Sequence, residues 1–369
     1  MNHENHPLPA SSGHEHRTLR CLPDAEPRVA VVAERLTPGD RHAETVAQLA
    51  GRGVPGYAVE VIDPAAARHR LQADRHDLVH LLAGGDGAGA LGAASLADSL
   101  GAPVFAAHHA GLLTASPPEL AGALYRGCDF VLSPTRAADA TLAQLGVAAE
   151  RVIRWQPGVD RERFGPARYR SSAIPGRAGS DPSDRIPFNV LGAGGLEHAD
   201  SATLLAEAFH RARQREPRLQ LVIAGEIPSE SELRARLAGA VTFLGVLDAD
   251  ALARTYASAD LLVCPDSRDG FGHEVLAAQA SGLPVVAIEG SGPAELIELG
   301  RNGCVVAEDP VALGDAIRGL ARRATLRERL STGGLMTARE RTWERSARAL
   351  AACWDRARRP VAGEVIRAA

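Results

Sequence analysis

Short apolar runs alternate with longer amphipathic segments along the chain from Arg28 onward. The first apolar runs are RVAVVAE, YAVEVI, DLVHLLAGG and PVFAAHH, and helix-like segments such as DRHAETVAQLAGRG and GALGAASLADSLG lie between them. Repetition of strand and helix is typical of a parallel sheet that helices cover on both faces. The pattern therefore predicts a doubly wound α/β domain over residues 28–165.

A second series of the same kind predicts another α/β domain over residues 188–342. Between the two series the chain is dense in Gly, Pro, Ser and charged residues, so we predict a linker over residues 166–187. Residues 1–27 are polar and show no period, and we interpret them as a disordered tail rather than a metal site, although they contain histidines. Ligands of open parallel sheets bind beyond the carboxyl ends of the strands, so the cleft between the domains is the expected site.

Composition narrows the classes of function. The length of 369 residues suits two domains, and 45% hydrophobic and 23% charged residues are typical of a globular protein. The net charge of −4 gives no general attraction for nucleic acid or an anionic membrane, so we predict no nucleic-acid partner. All 41 basic residues are arginine, which excludes a Schiff-base lysine and a phosphate-loop lysine.

The five cysteines are scattered and form no C-x-x-C pair, which argues against a disulfide framework and against a zinc site. No stretch approaches the roughly 18 uninterrupted apolar residues of a membrane span, and the first residues lack the apolar core of a signal peptide. We therefore expect a cytoplasmic protein with no integral membrane segment and no metal site. Peripheral contact with a membrane is not indicated.

Residues 87–92 read GAGALG and match the G-x-G-x-x-G fingerprint of dinucleotide-binding proteins. That fingerprint belongs after the first strand of its unit, with an acidic residue about 20 positions later at the end of the next strand. Here it follows the third predicted strand, and the next strand ends in His108 and His109. We therefore favour a tight strand-to-helix turn over a nicotinamide or flavin site.

Residues 268–297, RDGFGHEVLAAQASGLPVVAIEGSGPAELI, resemble the donor-binding core of the family-four retaining glycosyltransferases of GT-B fold. The resemblance extends back to Phe188 and forward to Trp343, and is looser in the first half of the chain. It implies two Rossmann-like domains that face each other across a cleft, with the final helix, residues 343–369, returning to the first domain. It also implies transfer of a sugar from a UDP- or GDP-sugar to an acceptor hydroxyl, with retention and without a tightly bound cofactor.

The turn at residues 269–272 joins the predicted strand DLLVCPDS to the predicted helix HEVLAAQAS. Such a turn presents free backbone N–H groups and the positive end of a helix, which suit a diphosphate or a sugar hydroxyl, although it is also an economical connection. The resemblance implies that Asp269 and His109 are catalytic and that Gly39 belongs to a loop on the acceptor side. The predicted donor-binding residues are Gly194, Gly195, Arg268, Gly270, Phe271, Gly272, His273 and Glu274.

Three positions on the donor side depart from the pattern of the family, and Asp40 replaces the second glycine of the acceptor-side loop at Gly39. The family has an acidic residue at the position of Ala277, an arginine at that of Gly195 and a lysine at that of Asp200. The two cations clamp the diphosphate of the donor, whereas a carboxylate at residue 200 repels it unless a divalent metal bridges the two or the side chain turns away. Arg268 and Arg254 are the arginines nearest in sequence that could restore positive charge. Two hypotheses stay open: an active glycosyltransferase, or a degenerate relative that binds a sugar, a nucleotide or a partner enzyme.

Overall fold

A computed structural model describes residues 26–358, apart from residues 34–40, 83–87, 110–111, 114–115, 169–173, 175–186, 197, 226, 228–229, 238 and 269. Two of the predicted site residues, Gly39 and Asp269, lie outside the described residues. The described chain forms two parallel sheets, each covered by helices on both faces. We call the parts built on these sheets the first lobe and the second lobe.

The first sheet has the strand order β2-β1-β3-β4-β5-β6. Its strands are β1 Arg28–Ala33, β2 Ala58–Ile62, β3 Leu78–Leu82, β4 Val104–Ala107, β5 Phe130–Ser133 and β6 Val152–Arg154. The helices of this lobe are α1 Arg41–Arg52, α2 Pro64–Ala73, α3 Ala88–Leu100, α4 Pro118–Gly127 and α5 Arg136–Gln144. The second lobe repeats this alternation.

The second sheet has the order β12-β11-β10-β7-β8-β9. Its strands are β7 Phe188–Ala193, β8 Leu219–Ala224, β9 Val241–Phe243, β10 Leu261–Cys264, β11 Val285–Ile288 and β12 Cys304–Val306. The helices that follow are α6 Ala199–Arg215, α7 Glu230–Leu237, α8 Ala249–Ser258, α9 His273–Ala280, α10 Pro310–Arg322, α11 Ala324–Glu340 and α12 Trp343–Trp354. Both sheets are parallel throughout the described registers.

Strand β1 shows why the apolar runs of the sequence become central strands. Side chains alternate across a strand with a period of two, so a continuous apolar run faces two cores at once. Val29 and Val31 pack in the core beneath α1 and α12, whereas Ala30 and Val32 pack in the core beneath α2 and α3. A strand of this kind is stable only between two layers of helices, as the alternating pattern predicted.

The chain enters the second lobe earlier than residue 166, where the sequence places the start of the linker. Val159 and Phe164 pack in the apolar core of the second lobe, and the ring of Phe164 meets Tyr256 of α8 edge to face at 5.9 Å. The segment PGVDRERFGP is too short and irregular to show a helical or strand period of hydrophobic residues. The sequence pattern therefore did not predict that Val159 and Phe164 pack on the second lobe. The crossing occurs near residue 158.

Helix α12 packs on the first sheet, beside β1 and β3. Trp354 is fully buried, and its Nε1 donates a hydrogen bond to Nδ1 of His80 at 3.1 Å. Tyr57 stacks edge to face on Trp354 and donates its hydroxyl to Asp355 at 2.7 Å. Since α12 follows the last helix of the second lobe, the chain crosses between the lobes a second time near Thr342, which bridges to Val159.

The G-x-G-x-x-G segment follows β3, as predicted. Its second glycine, Gly89, lies in the first turn of α3, where an added Cβ would lie 2.7 Å from Cβ of Pro64 in α2. The glycine at this position is therefore required by the close packing of two helices. This packing accounts for Gly89 without a dinucleotide.

Candidate functional site

The strand order of the second sheet defines a candidate ligand crevice. The chain steps outward from β7 to β8 and β9 on one side, then returns to β10 beside β7 and steps outward to β11 and β12 on the other. The loops after β7 and β10 therefore leave the carboxyl edge in opposite directions and open a crevice between them. The predicted donor-binding residues lie in these two loops and in the first turn of α9.

The loop after β7 begins with two left-handed glycines, Gly194 at φ +80° and Gly195 at φ +72°. A Cβ added to Gly195 would lie 2.3 Å from Cβ of Asp266, in the loop after β10. Both the backbone conformation and the close approach of Asp266 require glycine at residue 195. The arginine that the resemblance implies at this position does not fit while Asp266 stays in place.

Three charged side chains meet at the mouth of the crevice. Nη2 of Arg268 donates to both carboxylate oxygens of Asp200, at 3.0 and 3.1 Å. Nη1 of Arg268 donates to Oδ1 of Asp266 at 2.6 Å and to Oγ of Ser201 at 3.3 Å. We call Asp200, Asp266 and Arg268 the charge cluster. With two carboxylates and one guanidinium it is net negative.

Arg268 determines the electrostatics of Asp200. The hydrogen bond from the guanidinium, and then the one from the backbone N–H of Ser201, hold the pKa of the Asp200 carboxyl below its usual value. Asp200 is therefore ionised at neutral pH, and it lies in the first turn of α6, where a negative charge is stabilised by the helix dipole. Arg268 does bring a positive charge to the crevice, but Asp200 and Asp266 neutralise it.

The loop after β10 leads into α9 through another left-handed glycine. Gly272 has φ +80° and is the N-cap of α9, and a Cβ there would lie 2.8 Å from Cα of Pro293. Phe271 is buried in the core of the second lobe, and its ring meets His273 edge to face at 4.9 Å. The turn 270–272 therefore holds the N-terminus of α9 at the crevice. Asp269 precedes this turn and is not described.

The carboxyl group that the family places on α9 has no direct replacement. Ala277 is buried in the apolar core, and Glu274 lies one turn nearer the start of the helix with 8% of its surface exposed. Glu274 is therefore a buried carboxyl group in the first turn of α9. The two positions are three residues apart and reach different parts of the crevice.

In the first lobe, His108 and His109 directly follow β4 at the carboxyl edge of the sheet. The backbone N–H of His108 donates to the carbonyl of Leu132 at 2.8 Å, and that of His109 to the hydroxyl of Tyr125 at 3.2 Å. His108 is buried, whereas His109 is half-buried. These bonds to β5 and α4 hold the backbone of both histidines at the sheet edge.

A hydrogen bond between described residues joins the carboxyl edges of the two lobes. Oε1 of Glu295, in the short 3₁₀ helix Pro293–Leu296 after β11, accepts a hydrogen bond from the backbone N–H of Ala137 at 3.0 Å. Ala137 lies in the first turn of α5, which follows β5. The edges that carry His109 and the charge cluster therefore belong to the same interlobe cleft.

Sequence reasoning did not identify Asp266, Ser201 or Glu295 as residues of this region. Ser201 and Asp266 are 65 positions apart, and Glu295 is 158 positions from its partner. No local pattern marks such pairs. The strand order alone offers a signal, since residues that follow neighbouring strands β7 and β10 must meet.

Two family models match the chain, one in each half. The model described as Glycosyltransferase Family 4 matches residues 13–163, and the model described as Glycosyl transferases group 1 matches residues 187–323. The chain therefore belongs to the family-four glycosyltransferases, and the GT-B fold predicted from the sequence is confirmed.

A GDP-mannose-dependent alpha-mannosyltransferase of Corynebacterium glutamicum is 34% identical over 200 residues, which are 54% of this chain and 45% of that protein. Sulfoquinovosyl transferase SQD2 of Arabidopsis thaliana is 28% identical over 240 residues, which are 62% of this chain and 45% of that protein. The chain thus spans about half the length of these curated relatives.

Among solved structures, HepE of Anabaena in complex with UDP-glucose is similar with a TM-score of 0.68 and 16% identity. The match covers 88% of this chain and 98% of that one, and it supports the fold alone. None of the helices that the structure describes is both long enough and apolar enough to span a bilayer.

Proposed function

We propose that the protein is an active hexosyltransferase that moves a sugar from a UDP- or GDP-sugar to an acceptor hydroxyl, with retention of the anomeric configuration. The observation that carries the proposal is the meeting of Gly195, Arg268 and the N-terminus of α9 at the crevice of the second sheet. The matched family and the resemblance supply the reaction class. HepE, bound to UDP-glucose, and the GDP-mannose-dependent relative support a nucleoside diphosphate sugar and leave the base open.

The chemistry requires stabilisation of the leaving group. Breaking the bond between sugar and phosphate sends negative charge onto the departing diphosphate, so groups that bind this charge lower the barrier. Backbone N–H groups of Gly270, Phe271 and Gly272 and the positive end of α9 are suited to that role. Arg268 provides a guanidinium group at the same crevice. No metal or tightly bound cofactor is part of this proposal.

The resemblance assigns the remaining roles. Asp269 lies next to the donor sugar, His109 contacts the donor sugar or the acceptor from the first lobe, and Gly39 belongs to a loop near the acceptor. His273 and Glu274, at the start of α9, bind the donor. The acceptor is a hydroxyl compound of unassigned structure, and the proposed compartment is the cytoplasm.

A second candidate function is a binding protein that has lost catalysis. Three features favour it: Ala277 replaces a carboxylate, Gly195 leaves no room for an arginine, and Asp200 faces the guanidinium that a diphosphate would use. Losing one preorganised charge donor typically lowers turnover by roughly 10²–10³-fold. An enzyme with these substitutions therefore depends on Arg268 and on the backbone N–H groups.

Calorimetric titration with UDP, GDP and ADP, with and without Mg²⁺, tests whether the crevice takes a nucleotide. We expect UDP or GDP to bind in the millimolar range or tighter. Absence of binding for all of them would remove the nucleotide-sugar donor from the proposal. Binding together with slow hydrolysis of UDP-glucose or GDP-mannose supports an enzyme, whereas binding of nucleotide without any sugar release under the same conditions supports the degenerate alternative.

Two variants test the catalytic assignments. His109→Ala and Asp269→Asn should each lower sugar release by roughly 10²-fold or more while the nucleotide still binds. His210→Ala, at an exposed position on α6, is the matched control and should leave turnover unchanged. Unchanged turnover in both test variants would show that the residues carried over from the family are wrong. The anomeric configuration of the product, read by NMR, tests retention.

A further inference from the structure

The two aspartates of the charge cluster hold Arg268 in different ways. Asp266 has 20% of its side chain exposed and binds Nη1 at 2.6 Å, whereas Asp200 has 69% exposed and binds only Nη2. Asp266 precedes Arg268 by two residues and also accepts its backbone N–H at 3.3 Å. Asp266 therefore positions the arginine from the protein side, and Asp200 covers it from the solvent side.

An anion that enters the crevice meets Asp200 first. The exposed contact between Asp200 and Arg268 is an ion pair of the weak kind, because water screens both groups. A diphosphate presents several charged oxygens to the same donor, and bonds between guanidinium and phosphate are among the strong charge-assisted ones. Phosphate oxygens can therefore replace the Asp200 carboxylate as acceptors from Nη2, while Asp266 still accepts the hydrogen bond from Nη1.

We infer that Asp200 is a gate residue for the donor: it occupies Arg268 in the empty site, competes with the diphosphate for that arginine, and so lowers the affinity for nucleoside diphosphates. The inference rests on the proposed function, since it deepens the account of the same crevice. Asp200 stands where the resemblance implies a diphosphate-clamping lysine, so the position has changed from attracting the ligand to competing with it. Arg268 takes over the binding of the leaving diphosphate.

The test compares the affinity of UDP and of GDP for five forms of the full chain by calorimetry at low ionic strength. Asp200→Asn removes the charge and keeps the oxygen that accepts the N–H of Ser201. We expect it to bind nucleotide roughly tenfold more tightly than the unmodified protein, since a like charge at contact distance is removed. The matched control Asp315→Asn removes a carboxylate, 55% exposed, from the ion pair with Arg318 on α10, and the affinity of this variant for nucleotide should not change.

Arg268→Ala distinguishes competition for the arginine from simple repulsion. We expect it to weaken nucleotide binding by about tenfold or more, since a charge-assisted contact to phosphate is lost. In the Arg268→Ala background, Asp200→Asn should increase the affinity for nucleotide clearly less than it does in the unmodified protein, because the two residues interact with each other. The gain from Asp200→Asn should also shrink as salt is raised to 0.5 M.

The outcomes separate this inference from the proposed function. Nucleotide binding that is unchanged or weakened in Asp200→Asn refutes the inference that Asp200 lowers the affinity for nucleotide, and it leaves the proposed nucleotide-sugar donor unaffected. If Asp200→Asn increases nucleotide affinity equally in the unmodified protein and in Arg268→Ala, Asp200 does not compete for Arg268. Failure of the unmodified protein and of Asp200→Asn to bind any nucleotide overturns both proposals. Binding by Asp200→Asn alone supports competition between Asp200 and the nucleotide, but it removes the nucleotide-sugar donor from the function proposed for the unmodified protein.

Discussion

Gly195→Ala tests the steric reason for the missing arginine at the crevice. Alanine at this position must adopt φ near +72°, where an L-residue is less stable by about 1–2 kcal/mol. Its Cβ would also lie 2.3 Å from Cβ of Asp266, and relieving such overpacking typically costs about 1–3 kcal/mol. We expect Gly195→Ala to destabilise the second lobe by about 2–5 kcal/mol.

The matched control separates the two contributions. Gly245 has φ +65°, and a Cβ there meets nothing within 4 Å, so Gly245→Ala carries the conformational cost alone. We expect a loss of about 1–2 kcal/mol for that variant. Adding Asp266→Gly to Gly195→Ala removes the opposing Cβ and should recover part of the loss, a coupling that distant sites do not show.

The measurement is chemical denaturation followed by far-UV circular dichroism, with the midpoint and the slope compared among the variants. Equal destabilisation by Gly195→Ala and Gly245→Ala would refute the reasoning, because the contact with Asp266 would then contribute nothing. Loss of stability that Asp266→Gly does not relieve would refute it in the same way. If Gly195→Ala is the more destabilising of the two, the arginine that the family has at this position cannot be restored by substitution at residue 195 alone.

Two further predictions concern the first lobe. Trp354→Phe removes the donor to Nδ1 of His80 and part of a fully buried ring, so thermal denaturation should show a loss of about 2–4 kcal/mol; an unchanged melting temperature would contradict the anchoring of α12. The hydrogen bond from Arg70, and after it the one from His76, lowers the pKa of Glu60 from 4.5 although partial burial opposes this. A carboxyl group whose pKa is lower in the folded state stabilises the fold at pH values above its unfolded-state pKa. This stabilisation is lost as the pH falls through the folded-state pKa. Melting temperatures of the unmodified protein and Glu60→Gln should therefore differ slightly at pH 7 and converge below pH 4.5, and a difference that grows on acidification would be inconsistent with this sign.

The local signals in the sequence predicted the elements well. The run RVAVVA becomes β1 because five consecutive apolar residues, 29–33, satisfy both faces of a covered strand. The glycines of the turn 270–272 were assigned to a strand-to-helix connection, and Gly272 is indeed the left-handed N-cap of α9. These features depend on residues that are close together along the chain.

Pairings between distant segments could not be predicted in the same way. The sequence placed the start of the linker at residue 166, but Phe164 already packs on Tyr256 of the second lobe. Arg268 was a candidate for restoring positive charge, and its two aspartate partners were not foreseen as a cluster. Glu295 had no expected role, and its partner lies in the other lobe.

The sequence by itself determined the order of strands and helices, the presence of two α/β lobes and the family to which they belong, because apolar periodicity and a long run of family motifs are written in consecutive residues. Only the tertiary structure decided what surrounds each charge. Asp200 and Arg268 are 68 positions apart and meet because β7 and β10 are neighbours in the sheet. Whether an arginine attracts a ligand depends on such neighbours, since electrostatic energy is set by distance in space and not by distance along the chain.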